Sequence, residues 1–169
     1  MPLKNIQQPE VILLTETLRL KRYNGHYELA LAGYQDPYVY QNSEGIFDQT
    51  KIPDLNYVKG MCEYLDKNGE LYFIEVLEDE RYTAVGDVTM KAENPPIAIW
   101  YEKYRGKGLG SLVMGAFINR MRALGYKKIR NSTVYKWNEA SFRLHQKLGF
   151  QVVRETDQEY YLDLELMRE

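Results

Sequence analysis

The sequence predicts a single α/β (α+β) domain over residues 1–169, with about seven strands and about four helices. Three observations carry the prediction. The chain has 169 residues, 44% of them hydrophobic, which suits one well-filled core rather than two. Strand-like and helix-like runs are interspersed without the regular alternation of a βαβ array. The run Ile97-Ala98-Ile99-Trp100-Tyr101, the stretch Tyr104-Arg105-Gly106-Lys107-Gly108-Leu109-Gly110-Ser111 and an apolar-periodic segment to Leu124 read in order as strand, glycine loop and helix.

The first strand covers 11–23, where Leu18 and Leu20 alternate with Arg19 and Lys21. Residues 26–33 read as a short helix, and 34–45 as a partly helical loop because turn formers cluster there. The helix over 54–67 has Pro53 near its start, the stripe Leu55, Val58, Cys62, Leu65 on one face and Asn68-Gly69 at its end. On that stripe Cys62 is a small buried apolar residue rather than a nucleophile. Strands over 71–77 and 83–90 form a hairpin through Glu78-Asp79-Glu80-Arg81. Asn94-Pro95-Pro96 breaks the chain before the fourth strand, 97–101. The helix after the glycine loop presents Leu112, Val113, Ala116, Phe117, Met121 and Leu124 on a wide apolar face and stops at Gly125. A fifth strand over 127–135, a helix over 138–148 and a last pair of strands, 150–156 and 159–166 with Asp157-Gln158 as their turn, complete the domain.

Three glycines at alternate positions let the backbone of 106–110 approach a ligand and leave N–H groups pointing outward at a helix N-terminus. The helix dipole and those donors favour an anion, and Arg105 and Lys107 add positive charge. A Walker loop would need glycine where Tyr101 stands, and a dinucleotide fingerprint would need Gly-x-Gly-x-x-Gly early in a βαβ unit. Neither spacing is met. A glycine-rich turn that merely opens a helix is the plain alternative. What fits is Arg-x-x-Gly-x-Gly, Arg105 to Gly110, which resembles the acyl-CoA pyrophosphate loop of the GNAT N-acetyltransferases.

A second stretch carries the same resemblance. Residues 138–150, from Asn138 through Ala140, Phe142 and Lys147 to Gly149-Phe150, are similar to the next helix of that family. The local physics agrees: Asn138 is a good N-cap, Gly149 sits where a left-handed C-cap is expected, and Phe150 can fold back on the last turn. More loosely, Thr15-Glu16-Thr17-Leu18-Arg19-Leu20 resembles the opening strand of the ribosomal-protein-acetyltransferase-like branch, and Val85-Gly86-Asp87-Val88 its third strand. The family fold would be a mixed, mostly antiparallel sheet splayed between the fourth and fifth strands.

The resemblance implies an acetyl-CoA-dependent N-acetyltransferase in which a primary amine attacks the thioester directly. Backbone N–H groups of Gly106, Lys107, Gly108, Leu109, Gly110 and Ser111, with the charges of Arg105 and Lys107, would hold the pyrophosphate. The pantetheine arm would pair with the backbone of Ala98, Ile99 and Trp100 as a further strand does. A backbone N–H there would stabilise the oxyanion. Asn138 matches a cofactor-contacting position and is equally an N-cap. Where the family often has a proton-donating tyrosine the chain has His145, whose ordinary pKa near 6.5 suits that role; a packed structural histidine is the alternative, with Tyr135 and Tyr101 as other donors. A base is needed for an amine of pKa about 10. Thr133 occupies the position where some relatives have glutamate and cannot act as one, leaving Asp87, Glu102 or ordered water.

Composition bounds the rest. No run of about 18 apolar residues could cross a membrane, and the first residues lack a signal-peptide core, so a cytoplasmic protein is expected. One cysteine and two histidines make neither a disulfide nor a metal cluster. The net charge of −2 argues against nucleic acid as partner. Charge is nonetheless segregated: 103–138 contains no Asp or Glu, while 23–50 contains no Lys or Arg but has Glu28, Asp36, Glu44 and Asp48 among tyrosines. The basic block reads as a surface for a polyanionic cofactor. The acidic block reads as a solvated face or as the surface for a cationic acceptor, such as a polyamine, an aminoglycoside or a peptide N-terminus. Dimers are common in the family, which admits a homodimer. A CoA-binding sensor domain without catalysis is the alternative function, and a nucleotide-binding module on the same loop is a third.

Overall fold

The computed structural model describes residue 3 and residues 6–167. Among them run β1 (Val11–Leu13), β2 (Leu18–Arg22), α1 (Leu31–Tyr34), α2 (Pro37–Glu44), α3 (Leu55–Asn68), β3 (Glu70–Glu78), β4 (Arg81–Met90), β5 (Ile97–Ile99), α4 (Leu109–Ala123), β6 (Lys128–Tyr135), α5 (Glu139–Lys147), β7 (Gln151–Glu155) and β8 (Glu159–Glu165). The class is as predicted, a mixed α/β fold. Two counts differ. The first strand is a hairpin, because Leu14 and Thr15 N–H groups both bond the Leu18 carbonyl and turn the chain between β1 and β2. The segment read as a partly helical loop contains α2, which Asp36 caps by accepting from Tyr38 N–H, Pro37 begins, and Gly45 ends at φ +65°.

Five strands form one antiparallel sheet in the order β1-β2-β3-β4-β5, and three form another in the order β6-β8-β7. Among the described residues the backbones of the two sheets pair only at a short parallel bridge, Glu93 to Arg130, so the sheets part between β5 and β6, the fourth and fifth strands of the sequence reading, while their side chains share a core. Both faces of β3 are covered, which is why it reads as a continuous apolar run. Tyr72 and Ile74 join the core under α4, with Val113, Phe117, Met121 and Ile129. Leu71 and Phe73 join a second core against α1, α2 and α3, with Tyr34, Val58, Cys62 and Trp100. Cys62 lies there as expected, and burial pushes its thiol up to about 12. At the start of β3 the fully buried Glu70 receives both Nε and Nη2 of Arg120 at 2.7 and 2.8 Å and the Tyr72 hydroxyl at 2.9 Å, a clamp between sheet and α4.

Candidate active site

The parting of the sheets is lined on one side by β5. Trp100 N–H donates to the Val85 carbonyl and Thr89 N–H to that of Pro96, with Ala98 opposite Asp87. Pairing alternates along an antiparallel ladder, so Ile97 and Ile99 turn their backbone groups away from β4, toward the unpaired edge. Of the three residues expected to receive an extended ligand, only Ile99 therefore offers a free N–H. Ala98 uses its main chain in the ladder and contributes its side of the wall. Trp100 is fully buried, its indole N–H bonded to Asp87 at 2.7 Å.

Beside this edge a cleft of about 300 Å³ is lined by Tyr38, Asn42, Ser43, Ile97, Ala98, Ile99, Arg105, Gly106, Gly108, Leu109, Gly110, Ser111, Asn138 and Leu144, among others. Gly106 and Gly108 stand at φ +70° and +83°, and a Cβ on either would meet no protein atom within 4 Å. The loop thus adopts the left-handed turns that only glycine takes without strain and presents bare backbone to open space. Gly108 is the N-cap of α4 with no side-chain bond, and the first intrahelical bond belongs to Leu112. The N–H groups of Leu109, Gly110 and Ser111 lie ahead of it, at the positive end of a 15-residue helix.

Arg105 closes one wall. Its guanidinium sits 4.0 Å from the Tyr38 ring centroid, 3.6 Å from Asp36 Oδ2 and 3.5 Å from the Trp100 carbonyl, and its buried Nε has no partner among the described residues. A cradle of N–H groups with an unpaired arginine donor fits a pyrophosphate. Lys107 is exposed and outside the cleft. Part of the basic block is spent elsewhere: Lys103 on Glu78, Arg120 on Glu70, Lys128 on Asp163 and Glu165, Lys136 on Glu155. Acids from distant parts of the chain thus neutralise these four members of the block.

A second cavity, about 170 Å³, shares Asn42, Ser43, Ile97, Ala98, Asn138 and Ser141 with the cleft and continues between Tyr34, Glu44, Met61, Leu65, Pro95, Pro96, Thr133 and His145. Asn138 stands at the junction. Its Oδ1 accepts from Ser141 N–H and its Nδ2 donates to the Asn42 carbonyl, each at 3.3 Å, so it caps α5 and ties it to α2. His145 is 3% exposed, edge-on to Phe150. Its Nδ1 lies 2.7 Å from the Ser141 carbonyl, which can only accept, so Nδ1 carries the proton and Nε2 the lone pair. Burial pulls the ring below its ordinary value, keeping it neutral near pH 7.

Four sequence candidates for proton transfer, Tyr135, Tyr101, Glu102 and Asp87, do not line either cavity. Tyr135 stacks on Trp137 at 4.7 Å and lies against Gly45, and burial, helped by Glu159 and Glu44, raises its hydroxyl. Glu102 is exposed at the start of a 3-10 turn. Asp87 is buried, accepting from the Tyr34 and Trp100 donors on the same oxygen at 2.7 Å.

The acidic block sorts itself by position. Glu28 pairs with His26, Asp36 and Asp48 cap helices, and only Glu44 lines a cavity. Burial, then the nearby Asp87, push its carboxyl up to about 7, against the pull of the Tyr57 hydroxyl. Neither motif contains Glu44. The one signal in the sequence was the acidic block, which could not rank its members.

The acetyltransferase (GNAT) family model matches residues 34–150, more than half of the chain. Over 51 residues the chain is 43% identical to a SPbeta prophage-derived uncharacterized N-acetyltransferase, YokL, of Bacillus subtilis (strain 168); that stretch is 30% of this chain and spans only 28% of the relative's length. Among solved structures, a domain from Methanocaldococcus jannaschii DSM 2661 superposes with a TM-score of 0.74 at 18% identity, over 88% of this chain and 97% of that one. RimL, a ribosomal alpha-N-protein acetyltransferase in complex with coenzyme A, gives 0.67 at 11% identity, over 92% and 98%. At such identities the likeness shows the fold alone.

Proposed function

The chain belongs to the acetyltransferase (GNAT) family, and from that premise we propose that it transfers acetyl from acetyl-CoA to a primary amine by direct attack. The observation that carries this is the pair of confluent cavities in the parted sheet, one ending at an anion cradle and the other at a carboxylate. Acetyl-CoA would supply an activated thioester carbonyl. The N–H groups of Leu109, Gly110 and Ser111, with Gly106, Gly108 and Arg105, hold its pyrophosphate. The free backbone groups of Ile97 and Ile99 pair with the pantetheine amides, and an N–H of that edge supports the oxyanion. His145 accepts a proton at Nε2 as the amine adds and returns it to the departing sulfur. Residues 1–169 would form one such domain, acting in the cytoplasm; among the described residues no helix is long and apolar enough to cross a membrane.

Calorimetric titration with acetyl-CoA, with dephospho-CoA and ATP as controls, tests the donor, and thiol release with a panel of amines tests the transfer. Saturable binding that ATP does not displace, followed by amine-dependent thiol release, is the expected result. The committed Nδ1–H of His145, and a Tyr135 that is not among the lining residues of either cavity, favour one other reading, a CoA-binding sensor without catalysis. His145→Ala separates the two: a transferase loses turnover while its acetyl-CoA affinity holds, whereas a sensor shows no amine-dependent turnover to lose.

A further inference from the structure

We propose that Glu44, at the C-terminal end of α2, recognises and deprotonates the acceptor's ammonium, and that the inner cavity it lines takes one compact primary amine with a short apolar arm. The assignment rests on the acetyl-transfer reading above and names the acceptor class and base that reading leaves open.

At about 170 Å³ the cavity has room for roughly five or six groups the size of a water molecule. Met61, Leu65, Pro95 and Pro96 give it apolar walls, Glu44 is the carboxylate among its lining residues, and none of them is a lysine or arginine. A single ammonium finds a partner there. A second cation in the same space would find no second carboxylate among the lining residues, which disfavours a polyamine inserted lengthwise, and an aminoglycoside ring system exceeds the volume. The shared residues Ile97, Ala98 and Asn138 place the cavity directly behind the open edge of β5, so an amine beside Glu44 faces the strand that would hold the thioester.

The groups around the carboxyl suit a proton acceptor. The Tyr57 hydroxyl of α3 favours its ionised form, Asp87 of β4 acts on it as a like charge, Tyr34 of α1 and Tyr135 of β6 feel its charge, and the neutral His145 of α5 lines the same cavity. Among the described residues no cation acts on it to hold it ionised. Burial and Asp87 bring it to about 7, where roughly half is ready to accept a proton at neutral pH. The protons balance. The ammonium's first proton passes to Glu44 and on to solvent. The second leaves nitrogen as the C–N bond forms and the C–S bond breaks, and it ends on the thiol.

The test measures turnover of n-propylamine, glycinamide and 1,3-diaminopropane between pH 6 and 10, with acetyl-CoA affinity determined in parallel, for the wild type, Glu44→Gln and Tyr57→Phe. The two monoamines are expected to exceed the diamine at least tenfold in kcat/KM at pH 7. Glu44→Gln should bind acetyl-CoA normally, lose about 100-fold or more in kcat at pH 7, and recover part of it toward pH 10, where free amine is abundant. Tyr57→Phe removes a hydroxyl that favours the ionised carboxyl, so the rising limb of kcat should move to higher pH. Wild-type turnover in Glu44→Gln, or an unmoved limb in Tyr57→Phe, overturns the role of Glu44. If Glu44→Gln fails to fold, the limb in Tyr57→Phe decides alone. Preference for the diamine, or acetyl-CoA binding with no turnover of either monoamine, overturns the compact-amine assignment. Absence of acetyl-CoA binding in the wild type removes the transfer reading itself and this assignment with it.

Discussion

Asp87 shows what burial does to a single side chain. The sequence offered it as a base; the fold spends one of its oxygens on Tyr34 and Trp100 and leaves the other without a partner among the described residues. Burial pushes its carboxyl up to about 6, against the pull of those two hydrogen bonds. A folded pKa above the unfolded one means that the native state holds more protons between about 4 and 6, so this group's contribution is present below pH 4 and is lost as pH rises through 6. Glu44, at about 7, has the same sign and extends the loss to neutrality. His145, with its ring held below the ordinary value, acts oppositely and gains stability as pH rises through the usual histidine range. Asp87→Asn removes the first of these terms. Its melting temperature relative to the wild type should rise between pH 4 and 7, by the equivalent of roughly 3 kcal/mol for two units. Thermal melts at several pH values check this, and a constant gap refutes it.

The elements differ in how openly the sequence announces them. Helices α4 and α5 are legible because their ends are local chemistry: a glycine loop before one, Asn138 before the other, Gly125 and Gly149 after them at φ +81° and +98°. The hairpin of β1 and β2 is hidden because its turn, through Thr15 and Thr17, uses none of the usual glycine, proline or asparagine signals. Helix α2 is hidden for the opposite reason. Asp36, Pro37, Asn42, Ser43 and Gly45 read as turn formers, yet Asp36 and Pro37 are the N-cap and first residue and Gly45 the left-handed stop. The cap makes a test. Asp36→Ala should cost about 1 kcal/mol, a drop of about 2–4 °C in melting temperature, while Asp36→Asn, which can still accept from Tyr38 N–H, should stay within a few tenths of a kcal/mol. Equal losses in the two variants would mean that the 3.6 Å contact with Arg105, not the cap, holds the helix.

For the whole molecule, the decisive feature is that two sheets packed into one core have their backbones paired, among the described residues, only around the bridge at Glu93 and Arg130, with α2 spanning the gap through the Trp137 indole bond to the Gln41 carbonyl and the Asn138 amide bond to that of Asn42. A ligand seated in the parting touches β5, α4, α2 and α5 together, and so stabilises the native arrangement as a whole. Acetyl-CoA at 100 times its Kd should add about 2.7 kcal/mol, a rise of roughly 5–10 °C for a chain of this size. Differential scanning fluorimetry reads this directly, and an unchanged melting temperature at saturating ligand would count against binding in the gap.

The sequence by itself determined the fold class, the glycine loop that opens α4 behind Arg105, and the capped helix from Asn138, because each is set by conformational preferences within a few neighbouring residues. The tertiary structure alone decided which acid of 23–50 reaches a cavity, which N–H of β5 stays free, which nitrogen of His145 keeps its lone pair and where the basic block is neutralised. These are outcomes of register and packing between residues as distant as Glu70 and Arg120 or Asn42 and Asn138. Side chains far apart along the chain share one dielectric and one set of partners only once the two sheets and α2 have closed around them.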